Sequence, residues 1–95
     1  MQDVHYIALI HKDPDSGYGV SFPDVPGVIA VADTLDSAIA EGAAALSFAF
    51  EDWSGERPVA RTLEALRNDP DYLLASVDAV VAAIKPSAGY SDAAE

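Results

Sequence analysis

Ninety-five residues carry 16 acidic and five basic side chains, a net charge of −11, and that balance sets the chain against holding nucleic acid through its own surface, because phosphate backbones are repelled. There is no cysteine, which excludes a disulfide framework, a thiolate metal site and a cysteine nucleophile. The length suits one domain with one core and is short for a catalytic cleft between domains.

Half of the residues are apolar and many are alanine, so a thin sheet covered by helix is easier to build than a thick core. No run reaches the roughly 20 apolar residues that span a bilayer. Met-Gln-Asp-Val-His has no basic stretch ahead of the first apolar run, which argues against a signal peptide. A cytoplasmic, soluble protein without membrane contact is expected.

Residues 4–10 form the first predicted strand. Val4, Tyr6, Ala8 and Ile10 fall on one face and His5, Ile7, Leu9 and His11 on the other. Apolar groups on both faces predict a strand interior to its sheet. Lys12-Asp13-Pro14-Asp15-Ser16-Gly17 is a turn by composition. Tyr18, Val20 and Phe22 then alternate with small residues, the period of a half-buried strand. On its other face Gly17, Gly19 and Ser21 leave little side chain, so close packing against that backbone is expected, with the long helix as the candidate.

Pro23-Asp24-Val25-Pro26-Gly27 forces a turn, because two prolines fix φ and Gly27 can take φ > 0. Val28–Ala32 is the returning strand. Asp33-Thr34 ends it and supplies a helix N-cap. Leu35, Ala38, Ile39, Gly42, Ala43, Leu46, Ala49, Phe50 and Trp53 recur at three- and four-residue steps, one apolar face of a helix of about five turns. Gly55 is placed to cap its end and Pro58 to prevent continuation.

Residues 61–68 hold Leu63 and Leu66 in a short amphipathic helix. Asp69-Pro70-Asp71 either ends that element or begins another, with Asp69 as N-cap and Pro70 in the first helical position. Residues 73–84 fit a helical face through Leu73, Val77, Val80, Val81 and Ile84. They equally fit a strand through Val77, Ala79, Val81 and Ala83, and propensity leaves both open. Residues 85–95 show no apolar periodicity and are expected to form a flexible tail.

The run HKDPDSGYGVSFPDVPG, followed six residues later by Thr-Leu-Asp-x-Ala at a helix start, closely resembles the N-terminal domain of the HicB family of antitoxins. The family pattern reads as an acidic turn, G-Y-x-V-S-F-P-D-x-P-G, a short strand, and D-T-L-x-x-A opening the helix. The resemblance spans roughly residues 4–84. It implies a partial ribonuclease H-like fold and a final strand over residues 76–84, preceded by a helical turn near Asp71–Leu74. The expected fold is therefore α+β: an antiparallel-dominated sheet of three to four strands, in the order β-β-β-α-(α)-β, with helices on one face. Residues 1–84 would be the antitoxin domain.

Chemistry is sparse. His5 and His11 stand about 20 Å apart along a strand, too far to share a metal, and no metal or other cofactor is expected. A ribonuclease H-type nuclease needs carboxylates converging on two metal ions. Here Asp13, Asp15, Asp24, Asp33 and Asp36 all fall in turns or at the helix start, where solvated acids are ordinary, and none interrupts the first strand. The serines have no persuasive histidine partner, and Gly17-Tyr18-Gly19 lacks the lysine and helix of a phosphate loop. No catalytic residue is assigned.

What remains is surface. Asp24, Asp33, Asp36, Glu41, Glu51 and Asp52 are the candidate contacts for a basic protein partner, since an acidic face steers and covers a basic one. Tyr6, Phe48 and Trp53 are the candidates for self-association, aromatic rings being enriched at interface centres. The resemblance implies that the partner is HicA, a small basic toxin that cleaves mRNA, and that the chain forms a dimer or larger assembly. Most family members also carry a C-terminal operator-binding segment; no basic strand or helix follows Lys85 here, so operator binding is not expected of the chain as given, whether it is a truncated form or a member without that part. A different class of answer is a stand-alone oligomeric regulatory or small-molecule-binding module using the space beside Gly17 and Gly19. A residual metal-dependent nuclease is a third.

Overall fold

The computed structural model describes residues 4–86. Strand β1 (Tyr6–Lys12), β2 (Tyr18–Ser21) and β3 (Ile29–Ala32) lead into helix α1 (Leu35–Glu51). Two short helices, α2 (Leu63–Leu66) and α3 (Pro70–Ala75), precede β4 (Val80–Ile84). The strands form one antiparallel sheet in the order β3-β2-β1-β4, an α+β architecture. The central position of β1 follows from its two apolar faces, although the strand begins at Tyr6 rather than Val4. From residue 87 onward the expected tail lies outside the described residues.

Local chemistry explains where each element starts. Thr34 is extended (φ −125°), and its hydroxyl accepts the Ser37 N–H at 3.0 Å to cap α1. Thr62 caps α2 in the same way through the Ala65 N–H at 3.1 Å. The Asp69 carboxylate accepts the Asp71 N–H at 2.9 Å, and Pro70 takes the first helical position of α3, where its missing donor would have no partner anyway. Residues 73–84 therefore divide between a helix end and a strand, with Asp78 at φ +61° turning the chain between them. Asp52, not Gly55, is the C-cap of α1. Gly55 lies in the next turn with φ +82°.

Two cores lie on opposite faces of the sheet. Tyr6, Ala8 and Ile10 of β1 join Val20, Phe22, Ala38, Leu46, Phe50 and Ile84 beneath α1. Leu9, on the alternate face, packs with Leu66 and Tyr72, with Ile7 and Leu63 beside them. The long helix thus covers one face as expected, while α2 and α3, expected on that same face, cover the other. Ile7 and Leu9 are as apolar as the residues they alternate with, and a few turns of helix from α2 and α3 suffice to cover them.

Close approach of helix to sheet rests on Gly42, not on the glycines of β2. A Cβ at Gly42 would stand 3.2 Å from Val20 Cγ1, 3.3 Å from Ile84 Cδ1 and 3.4 Å from Phe22 Cζ. Gly17 instead makes room for the Ala32 carbonyl of β3, and the space beside Gly19 is open. Val20 points under α1, so Gly19 and Ser21 necessarily point away from it. The neighbouring strand and solvent, rather than the helix, meet that side of β2.

Candidate protein-binding surface

The acidic residues fall into three groups. Asp24, in the turn before β3, is engaged within the molecule. Its carboxylate accepts the Arg61 backbone N–H at 2.8 Å and the Arg61 Nε at 2.7 Å, and its side chain is only 7% exposed. Arg61 Nη1 also donates to Asp69 at 2.9 Å. The hydrogen bonds to Asp69 and then Asp24 raise the Arg61 pKa, and the bond from Arg61 holds the Asp69 carboxyl below its ordinary value. This node ties the turn before β3 to the segment that carries α2 and α3.

Asp33 and Asp36 are exposed at the start of α1, where negative charge complements the helix dipole. Glu41, Glu51 and Asp52 are also exposed. At 100° per residue they share one side of α1 with Ala44, Ala45 and Phe48, whereas Asp36 lies about 140° around from Glu41. Asp36 and Asp52 are about 24 Å apart along the axis. None of these five acids forms an ion pair among the described residues. The charge they present outward is not neutralised from within.

Of the aromatic candidates, Phe48 is 73% exposed and stands on that same side of α1. Trp53 is 37% exposed and anchored: its indole N–H donates to the Glu56 carbonyl at 3.1 Å, and its ring meets Phe50 edge-on at 5.3 Å. The Arg57 guanidinium lies 4.5 Å from the centre of the Phe50 ring. Tyr6 is a core residue, 3% exposed, with its hydroxyl donating to the Pro58 carbonyl at 2.8 Å. It presents no ring to a partner of the folded chain. Burial raises its phenol pKa.

Sequence reasoning missed Ile29 and Val31. Both belong to β3 and are 66% and 73% exposed, while Ala30 and Ala32 face the core. The large residues point out and the small ones in, the reverse of the usual alternation. The signal was present as Ile-Ala-Val-Ala opposite a helix rich in alanine: where α1 lies closest to the sheet, only small inward side chains fit. An open groove of about 460 Å³ runs between β3 and α1, lined by Ile29, Ala30, Val31, Glu41, Ala44 and Ala45.

Among the described residues no group of three or more His, Asp or Glu side chains could hold a metal ion. No helix there is long and apolar enough to cross a membrane. The surface itself is an apolar strip on an edge strand and a helix, bordered by carboxylates without an ion-pair partner among the described residues.

The family described as HicB-like antitoxin of bacterial toxin–antitoxin systems matches residues 6–91. An uncharacterised 14.9 kDa protein of Haemophilus phage HP1, from its rep-hol intergenic region, is 39% identical over 70 residues, 70% of this chain and 52% of the phage protein. The crystal structure of the Burkholderia pseudomallei antitoxin HicB is similar at a TM-score of 0.68 and 30% identity, over 85% of this chain and 61% of that one. The N-terminal domain of the same antitoxin, solved separately, gives a TM-score of 0.67 at 30% identity, over 85% of this chain and 95% of the domain. The chain thus spans about half the length of the phage relative and less than two thirds of the whole antitoxin. By the match over residues 6–91, this chain belongs to the HicB-like antitoxin family of bacterial toxin–antitoxin systems.

Proposed function

We propose that the chain is the antitoxin of a type II pair that binds a small, basic, HicA-type mRNA-cleaving toxin and covers its active surface, without catalysis of its own. The observation that carries this reading is the unneutralised acidity of the α1 surface in a chain of net charge −11 that belongs to an antitoxin family. Complementary potential steers encounter and fixes orientation. Asp33, Asp36, Glu41, Glu51 and Asp52 are the acids available for it, and Asp24 serves the fold instead.

The test is co-expression with the small basic protein encoded beside the chain, purification of the pair, and an RNA-cleavage assay with and without the chain. A complex in which cleavage stops supports the proposal. Reversing Asp33 and Asp36 to lysine should weaken binding about tenfold or more at low salt, with the difference shrinking as salt screens it. Unchanged low-salt binding would remove that end of α1 from the interface. No complex with a well-folded chain would overturn the antitoxin reading.

A further inference from the structure

Natural sheets protect their edges with charges, prolines or bulges, because an unpaired row of N–H and C=O groups is a template for another strand. β3 has none of these within Ile29–Ala32. It is the terminal strand of the sheet, pairing only with β2. Each terminal strand runs directly into a charge, β3 into Asp33 and β4 into Lys85, but only β4 is then followed by a residue without a donor, Pro86. The two edges are not equivalent.

Around β3 the surface has three parts. On one face Ile29 and Val31 stand beside the open space next to Gly19. On the other lies the groove against Ala44 and Ala45, and the exposed Phe48 stands about one turn further along α1. Glu41 is the charged group in the groove lining. A strand has side chains on alternating faces, so an added strand would place one set in the groove and the other beside Ile29 and Val31.

We propose that the outer edge of β3 takes an extended segment of the basic toxin as a fifth strand, with small or apolar side chains in the groove and a lysine or arginine opposite Glu41. This rests on the antitoxin reading and assigns the place and mode of contact. Main-chain hydrogen bonds supply affinity in such pairing, and the side-chain pockets supply selectivity. Charge selects this occupant over a second copy, since a second copy would bring −11 against −11 and its own acidic α1 surface with it.

The probe is the basic protein purified from the complex described above. Val31→Lys places a charge on the edge at an exposed position, Ala45→Arg fills the groove from the helix side, and Val31→Thr is the conservative control. All three should keep the wild-type circular dichroism spectrum. Lysine and arginine should weaken binding about 100-fold, a loss of hot-spot size, and threonine less than about threefold. In the wild-type complex, hydrogen exchange should slow at amides within residues 29–32. Wild-type affinity in both charged variants, or unchanged exchange at β3, overturns the proposal while leaving the antitoxin reading standing. A homodimer broken by Val31→Lys with toxin affinity intact overturns it in favour of a second copy. Absence of any complex with the wild-type chain defeats the antitoxin reading itself.

Discussion

Gly42→Ala would add one methyl group where α1 crosses the sheet, 3.2 Å from Val20 Cγ1, 3.3 Å from Ile84 Cδ1 and 3.4 Å from Phe22 Cζ. Helix propensity alone favours alanine by about 0.8–1 kcal/mol. Against this stand three contacts inside the optimal carbon separation of about 3.5–4.0 Å, and overpacking typically costs about 1–3 kcal/mol. Ile84 Cδ1 and the tip of the Phe22 ring are ends of side chains and can yield. Val20 is branched at Cβ and stiff at χ1, so the helix must lift slightly. We expect a net loss of about 1 kcal/mol, read as a fall in Tm of about 4–8 °C for a domain of this size. Ile84→Val removes one of the three opposing atoms at an intrinsic cost of about 0.5–1.5 kcal/mol. In the double variant the two changes should be coupled favourably by about 0.5 kcal/mol or more. Urea unfolding followed by far-ultraviolet circular dichroism gives these values, provided the slope m is unchanged. If Gly42→Ala instead gains the full helix-propensity term and shows no coupling to Ile84, Gly42 does not set the spacing of helix and sheet.

Leu66, fully buried against Leu9 and Tyr72, should cost about 2–5 kcal/mol when cut to alanine, and a loss below about 1 kcal/mol in the same urea assay would show that the second core is dispensable. Tyr6 has a pKa raised above its ordinary 10.0, so its contribution is complete below pH 10 and lost as pH rises through the folded value. Tyr6→Phe should give up about 1 kcal/mol at neutral pH with the bond to Pro58 and should show a shallower alkaline loss of stability. Asp69 has a pKa lowered below 3.8 by the Arg61 bond, so its contribution is present above that value and disappears as pH falls through the folded one. Asp69→Asn keeps a capping oxygen but should flatten the acid limb of stability between pH 3.8 and the folded pKa. An acid limb identical to that of the wild type would show that the Arg61 node does not tie this segment down.

The order of elements was legible because strong local signals agree with one another. Pro23, Pro26 and Gly27 punctuate the second and third strands, and Thr34 with the apolar spacing from Leu35 onward announces α1. Gly27 does take φ +96°. Residues 73–84 were ambiguous because alanine, which favours helix, and valine, which favours strand, are mixed through them and support either period. Family resemblance, not periodicity, selected the strand that the structure contains. Which sheet face each helix covers was not legible, since Leu9 and Ile10 look alike in sequence and differ only in what folds over them. The surface was legible in charge but not in assembly. Asp24 reads like the other acids until Arg61 arrives from 37 residues away, and Tyr6 reads as an available ring until Pro58 closes over its hydroxyl.

The pairing of Tyr6 with Ile84 places the beginning of the first strand beside the end of the last. Both ends of the domain therefore leave from one corner of the sheet, on the edge remote from β3. Three strand spacings, about 14 Å, separate β4 from β3 across the sheet. A domain fused directly before Tyr6 or after Ile84 would start from the side of the sheet opposite β3. The same adjacency allows the two ends to be joined by a short linker and the chain reopened in the turn at residues 13–17, giving a circular permutant that retains every strand pair.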